Sequence, residues 1–253
     1  MDIQFPTHID WRTWLGRWDR MQDRYIPARK ERFSVITQLI ADTQKKVAMV
    51  LDVGCGTGRL MLPILKAFPI AEVWGVDFDA TLLALAKKRL AKFGKRAKPV
   101  EADLRKQNWF KSVPASFDAI VSATTLHWFS RRQLARLYKQ FGRILRPGGI
   151  FLNADHACST STRLQKSWEK HRDLLVSRRR INTDDWDGFW KAYGKALKIN
   201  VKDYRRNLMG PWVGSEQGLP LEWHFEQLKA VGFEAVDCFW RLDCDAIYGG
   251  IRR

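Results

Sequence analysis

Apolar residues run almost without interruption over residues 47–54, 71–77, 100–103 and 117–123. A strand covered by helices on both faces has no wet side, so it reads as a continuous apolar run and not as an alternation. Between these runs lie helical patterns. Over residues 79–93, Leu82, Leu83, Ala86 and Leu90 recur at helical spacing with Lys and Arg opposite. Over residues 130–145, Leu134, Leu137, Phe141 and Ile144 form one apolar stripe, and Ser130 with Gln133 makes the reciprocal pair that caps a helix start. Pro147, Gly148 and Gly149 stop that helix, and a fifth strand is expected over residues 150–155. A helix over 221–231, ended by Gly232, and strands over 234–240 and 245–251 complete the pattern. The alternation predicts an α/β fold: a Rossmann-like, seven-stranded, mostly parallel sheet with helices on both faces.

Residues 1–46 and 157–219 interrupt this alternation. They predict an N-terminal helical cap and a helical lid inserted after the fifth strand, leaving residues 47–156 and 220–253 as the core. The insertion holds Trp168, Trp186, Trp190 and Trp212, together with Arg163, Arg178, Arg179 and Arg180. It is too aromatic for a disordered linker. The tryptophans either form the lid's own core or line an aromatic acceptor pocket. The arginines either solvate a helix face or fork onto carboxylate or phosphate groups.

Charge changes the picture of partners, not of fold. The chain carries 44 Lys and Arg against 27 Asp and Glu, a formal net charge of +17, and such a field attracts acidic molecules and polyanions. No apolar run reaches the ~20 residues that cross a bilayer. The start at Met1, Asp2, Ile3 and Gln4 shows no charged-then-apolar leader, so a cytoplasmic protein is expected. Cys55, Cys158, Cys238 and Cys244 form no metal-knuckle or disulfide pattern.

The candidate chemistry starts at residues 51–59, LDVGCGTGR, a strand entering a glycine turn before a helix. Gly54 and Gly56 allow backbone angles and ligand approach that a Cβ blocks, and Gly58 is expected to let the following helix pack near the strand. A dinucleotide fingerprint would need glycine at Arg59. Asp77 closes the second strand within VWGVDFD, about the distance at which an acid meets ribose hydroxyls. Asp103 is expected to close the third within VEADL, where a carboxylate can accept from an adenine amino group.

These residues, with FDAIVSATTLHWF and LRPGGIFL following in order, resemble the motifs of class I S-adenosylmethionine-dependent methyltransferases over residues 47–152. The resemblance implies S-adenosylmethionine as cofactor. It places the methionine part on Gly54, Cys55 and Gly56, the ribose on Asp77, adenine between Phe78 and the Asp103–Leu104 edge, and the remaining methionine contacts near Ala123 and Thr124. The stretch Met21, Gln22, Asp23, Arg24, Tyr25 resembles the cofactor-covering helix of small-molecule members, which implicates Arg24 and Tyr25.

Methyl transfer is an in-line displacement, so a site must align reactants and exclude water, and needs a base only where the acceptor holds a proton. His127, just after the fourth strand, is the candidate base or else a histidine supporting the loop. Trp128 is expected to wall the acceptor pocket, with Asp155 and His156 orienting the substrate. Asp155, His156 and Cys158 are not expected to hold a metal, because adjacent residues rarely converge on one ion.

The pocket resembles small-molecule methyltransferases, including carboxyl O-methyltransferases of the trans-aconitate and juvenile-hormone-acid type. This implies a small, anionic or aromatic acceptor. Two rivals stay open: an RNA methyltransferase using the basic surface, and a cofactor-binding scaffold without turnover.

Overall fold

The computed structural model describes residues 9–179, 181–209 and 213–253. Arg180, Trp212 and the first residues, Met1 to Gln4 among them, lie outside the described residues. The strands are β1 (Met49–Val53), β2 (Glu72–Asp77), β3 (Ala97–Glu101), β4 (Phe117–Ala123), β5 (Leu145–His156), β6 (Phe233–Leu242) and β7 (Asp245–Arg252). They form one sheet in the order β3-β2-β1-β4-β5-β7-β6, parallel from β3 through β5, with β7 antiparallel to both of its neighbours. The order reverses between β1 and β4. At such a switch point the connecting segments leave in opposite directions and open a crevice at the strands' carboxyl ends.

Helices α2 (Arg29–Thr43), α3 (Met61–Ala67) and α4 (Ala80–Leu90) cover one face. There Ile36, Ile40, Met61, Ile64 and Leu83 pack against Val50, Val73 and Val121. Helices α5 (Arg131–Ile144) and α9 (Leu221–Ala230) cover the other, where Leu134, Phe141 and Leu228 meet Leu51, Phe117 and Phe151. The caps read from the sequence are present. Ser130 and Gln133 make the reciprocal capping box of α5, and Asp79 caps α4 through the Thr81 and Leu82 amides.

Two strands differ from expectation. β3 spans Ala97–Glu101, so Asp103 lies beyond its end in a turn. The apolar residues Ala102 and Leu104 had extended the pattern, but both are buried in loop backbone. β5 starts at Leu145, directly after α5, so Pro147, Gly148 and Gly149 lie inside the strand, where Leu145 pairs with Phe117 before the register shifts.

Helix α1 (Trp11–Tyr25) precedes α2, and the insertion forms α6 (Thr162–Arg178), α7 (Trp186–Leu197) and α8 (Val201–Met209). Cap and insertion share a third apolar cluster. Trp14 and Trp18 of α1 pack with Phe189, Trp190 and Tyr193 of α7 and with Leu82 and Leu85 of α4. Trp18 lies 5.1 Å from Phe189 and 5.8 Å from Trp186, ring centre to ring centre. Polar ties fix the same assembly. Asp19 of α1 meets Arg89 of α4 at 2.9 Å, Tyr193 donates to the Thr81 carbonyl, and Tyr204 donates to the Asp79 carboxylate. Among the described residues, no helix is long and apolar enough to cross a membrane.

Candidate active site

A cavity of about 920 Å³ opens at the carboxyl ends of β1, β2 and β4, roofed by the cap and the insertion. On the sheet side it is lined by Gly54, Cys55, Gly56, Asp77, Phe78, Asp103, Leu104, Ala123 and Thr124, all of them expected from the sequence. From the cap, Tyr25 lines it but Arg24 does not. Arg24 instead lies over the Tyr25 ring at 5.5 Å. The helical spacing between the two residues turns only one of them toward the crevice.

The glycine turn is held to β2. The Gly54 and Cys55 amides donate to the Val76 carbonyl, and the Gly56 amide donates to Asp77 Oδ2 at 2.8 Å. Asp77 Oδ1 accepts from the Asp79 amide at 2.9 Å. Each carboxylate oxygen keeps a lone pair for a second donor such as a hydroxyl. A Cβ on Gly58 would meet Leu90 and Ala86 of α4, so this glycine admits α4, and not the helix that follows it in sequence. That following helix starts only at Met61.

Asp103 is less open than expected. Arg105 takes both of its oxygens, at 2.8 and 2.9 Å, and also lies over the Phe78 ring at 4.9 Å. Burial opposes the charge of Asp103, but the Arg105 hydrogen bonds outweigh it and hold the carboxyl below its ordinary range. The side chain bounds this end of the cavity as half of an ion pair.

Asp52, which lines the cavity, was not singled out from the sequence. It is 1% exposed, and its Oδ2 has no hydrogen-bond partner among the described residues. Burial, with help from the nearby Asp77 charge, pushes its carboxyl up to about 8. Burial likewise pushes Asp77 up to about 6 against the lowering pull of its amide donors. The available signal was an acid inside an otherwise apolar strand, a costly placement unless a cation meets it.

On the β4–β5 side, His127 and Trp128 line the cavity from the 3₁₀ turn after β4, and His156 lines it from the end of β5. Asp155 does not line it. It is buried behind His127, and its Oδ1 accepts from His127 Nδ1 at 2.7 Å and from the His156 amide at 2.9 Å. Its Oδ2 accepts from the His127 amide at 3.1 Å. Although burial opposes it, the His127 and His156 partners hold Asp155 well below the usual carboxylate range. An ionised carboxylate only accepts, so His127 Nδ1 donates this hydrogen bond. His156 repeats the arrangement, with Nδ1 on Asp245 at 2.9 Å, and Arg32 of the cap also reaches Asp245 at 3.3 Å.

The ligand atoms of His127, Asp155 and His156 gather within 4.8 Å of one another. The adjacent pair therefore does converge, with His127 and not Cys158 as the third member. Both Asp155 oxygens are already committed to these histidines and to backbone amides, an arrangement that suits ring positioning. Of the insertion's arginines, Arg163 and Arg178 are exposed on α6, as a solvated helix face requires. Arg179 braces the cap through the Asp23 and Ile26 carbonyls, neither Arg163 nor Arg178 lines the cavity, and Arg172, Arg205 and Arg206 do.

Orphaned acceptors beside a glycine turn, a hydroxyl-accepting acid one strand over and a flat apolar slot beyond it fit a nucleoside that carries positive charge. A family profile described as a methyltransferase domain matches residues 50–149. Residues 50–149 are a methyltransferase domain, and its motifs are those of the class I S-adenosylmethionine-dependent enzymes. S-adenosylmethionine is its cofactor, and the buried Asp52 Oδ2 and Thr57 Oγ1, both without partners, suit a ligand rich in polar groups.

Among relatives of this methyltransferase, a trans-aconitate 2-methyltransferase of Deinococcus radiodurans is 35% identical over 66% of the chain and 58% of that enzyme. A carboxy-S-adenosyl-L-methionine synthase of Campylobacter lari is 22% identical over 88% of the chain and 85% of that enzyme. The structure of human N-acetylserotonin methyltransferase superposes with a TM-score of 0.52 at 16% identity, covering 98% of this chain and 60% of that one, a likeness of fold. The chain thus spans little more than half the length of the trans-aconitate enzyme.

The raised carboxyls make a prediction about cofactor affinity. Only the ionised forms of Asp52 and Asp77 attract the cationic cofactor, so binding below about pH 8 must release protons. Affinity is expected to rise from pH 6 to pH 8, by up to about tenfold per unit, and then level off. Calorimetry at three pH values, in buffers of different ionisation enthalpy, reads both effects. A flat profile with no proton release contradicts them.

Proposed function

We propose that this methyltransferase acts on a small anionic acceptor held between the cofactor and the wall formed by His127, Trp128 and His156. His127 serves as general base where the acceptor still carries a proton. The observation that carries this reading is the 2.7 Å hydrogen bond from His127 Nδ1 to the buried Asp155. It fixes the ring at the cavity wall with Nδ1 as the donor, which is the orientation a general base needs. Asp155 is thereby a positioning residue and not a substrate contact.

S-adenosylmethionine supplies a methyl group on a positively charged sulfur. In this reading Asp77 orients the ribose, Phe78, Asp103 and Leu104 bound the adenine slot, and Gly54, Cys55, Gly56, Ala123 and Thr124 hold the methionine end. Tyr25 and the cap close one side. Helices α6, α7 and α8 of the insertion cover the acceptor and exclude water, which strengthens each charge interaction inside. His127 then accepts the acceptor's proton at Nε2 as the acceptor's lone pair takes the methyl. A carboxylate acceptor needs no such step, and the ring only orients it.

The enclosing cap and insertion favour a small molecule over RNA. Part of the cap's positive charge is also spent internally, since Arg17 pairs with Asp184, Arg29 with Asp23 and Arg32 with Asp245. The trans-aconitate relative supports an acidic acceptor.

The test is a labelled-methyl assay on fractionated cell extract. Label is expected in the small-molecule fraction, and recovery in RNA alone overturns the reading. With a protic acceptor in hand, His127→Ala should lower kcat by about 10²–10⁴ while cofactor affinity holds. Unchanged kcat across the pH range removes the base.

A further inference from the structure

We infer that Arg172 binds the anionic group of the acceptor, and that this group is a carboxylate of a small organic acid. The inference deepens the proposed function and rests on it.

The arginines lining the cavity separate by what they already hold. Arg29 pairs with Asp23 at 3.0 Å, Arg59 with Asp19 at 3.6 Å, Arg105 with Asp103 at 2.8 Å and Arg206 with Asp203 at 2.6 Å. Arg205 lies over two indoles, 4.9 Å from Trp186 and 4.8 Å from Trp190, beside the Asp79 end of the cavity. Arg172 has neither kind of partner among the described residues. Its one hydrogen bond is a long contact of Nη1 with the Cys244 thiol, at 3.9 Å. Asp173 and Glu216 also border the cavity, and among the described residues neither is seen paired with Arg172.

Its position is set by α6, which packs over the turn between β6 and β7. His171 pairs with Asp243 there, and Arg241 lies over the Trp168 ring at 4.5 Å. Arg172 therefore stands beside the start of β7, where Asp245 holds His156. Asp245 feels the Arg172 charge, but its direct contacts go to Arg32 at 3.3 Å and to His156 at 2.9 Å, which leaves the Arg172 fork without a carboxylate in hydrogen-bond reach among the described residues. The His156 ring lies 4.9 Å from that of His127. The β5 side of the cavity thus brings one unmatched guanidinium to the two positioned imidazoles, on the wall away from the cofactor acids Asp52 and Asp77.

An unmatched guanidinium in a partly enclosed cavity presents up to five donors in a planar fork and has lost part of its hydration. A carboxylate matches that fork with two parallel hydrogen bonds. Arg172 would hold the acid group while the imidazoles face the rest of the molecule, which makes it the residue that selects acids over neutral analogues.

The test is calorimetry on the protein loaded with S-adenosylhomocysteine, using trans-aconitate, malonate and succinate as probes and their methyl esters as neutral controls. The wild type should bind at least one acid and bind its ester at least tenfold more weakly. Arg172→Gln should weaken that acid by about 10- to 100-fold, and Arg172→Lys by less. The S-adenosylhomocysteine affinity of all three proteins should agree, which also certifies their folding. Equal acid affinity in Arg172→Gln and wild type overturns the inference, as does equal affinity for acid and ester. If no acid binds while label still enters neutral metabolites in extract, this inference fails and methyl transfer to a small molecule survives.

Discussion

Gly56→Ala is expected to fold like the wild type and yet to lose cofactor binding. A Cβ built at Gly56 meets nothing within 4 Å, so the added methyl points into the cavity and crowds no protein atom. The backbone there has φ of +51°, which costs an alanine about 1 kcal/mol. The same methyl would occupy space beside the amide that contacts Asp77, where the cofactor must approach the backbone closely. An affinity loss of at least about 100-fold is expected, against a melting shift of only about 2–4 °C. Gly54→Ala should differ. Its Cβ would collide with the Thr125 side chain, and the backbone there has φ of +72°. Thr125 begins the turn that carries His127, so this variant should lose stability as well as binding. Calorimetry and thermal melts on the pair separate the two outcomes. Gly56→Ala that binds normally would place the cofactor elsewhere.

Asp155→Asn is expected to lower kcat for a protic acceptor by at least about 100-fold and to lower the melting temperature by roughly 5–10 °C. The native carboxylate accepts three donors: His127 Nδ1 and the amides of His127 and His156. An asparagine offers one acceptor oxygen. If that oxygen keeps His127 Nδ1, the amide nitrogen faces the His127 backbone N–H, donor against donor. If the amide flips, its nitrogen donates to Nδ1 and drives the imidazole proton onto Nε2, which removes the base. Either state costs stability, and the second abolishes the reactive tautomer. The kcat–pH profile with a parallel melt reads both. Normal kcat with lowered stability would reduce Asp155 to a structural role.

The sheet, its helices and the cofactor edge were legible because they are local. A strand buried on both faces, a capping box and a glycine turn each write their requirement within a few residues. Asp77 followed from its strand end, whereas Phe78 and Leu104 followed from the family resemblance; all three line the cavity. What stayed hidden depends on contacts between distant segments. Asp52 looks like an ordinary interruption of an apolar strand until the fold leaves Oδ2 unpartnered at the cavity. Asp155 could not be separated from His156 by sequence, although one is buried behind His127 and the other lines the cavity. Lid core and pocket wall were the two readings of the insertion's tryptophans, and Trp186 and Trp190 are both. Trp186 and Trp190 pack with Trp18 of the cap across the chain while bordering the cavity. The run of arginines at 178–180 drew attention by its density, whereas Arg172, a single arginine between His171 and Asp173, lines the cavity without an ion pair among the described residues.

Titration of the purified chain with S-adenosylhomocysteine, followed by heat and by melting temperature, tests the central claim most directly. One molecule should bind per chain, raise the melting temperature by about 5–10 °C at 100-fold excess over Kd, and fail to bind Gly56→Ala. Absence of both heat and thermal shift in the wild type would contradict a cofactor crevice built by Gly56, Asp52 and Asp77.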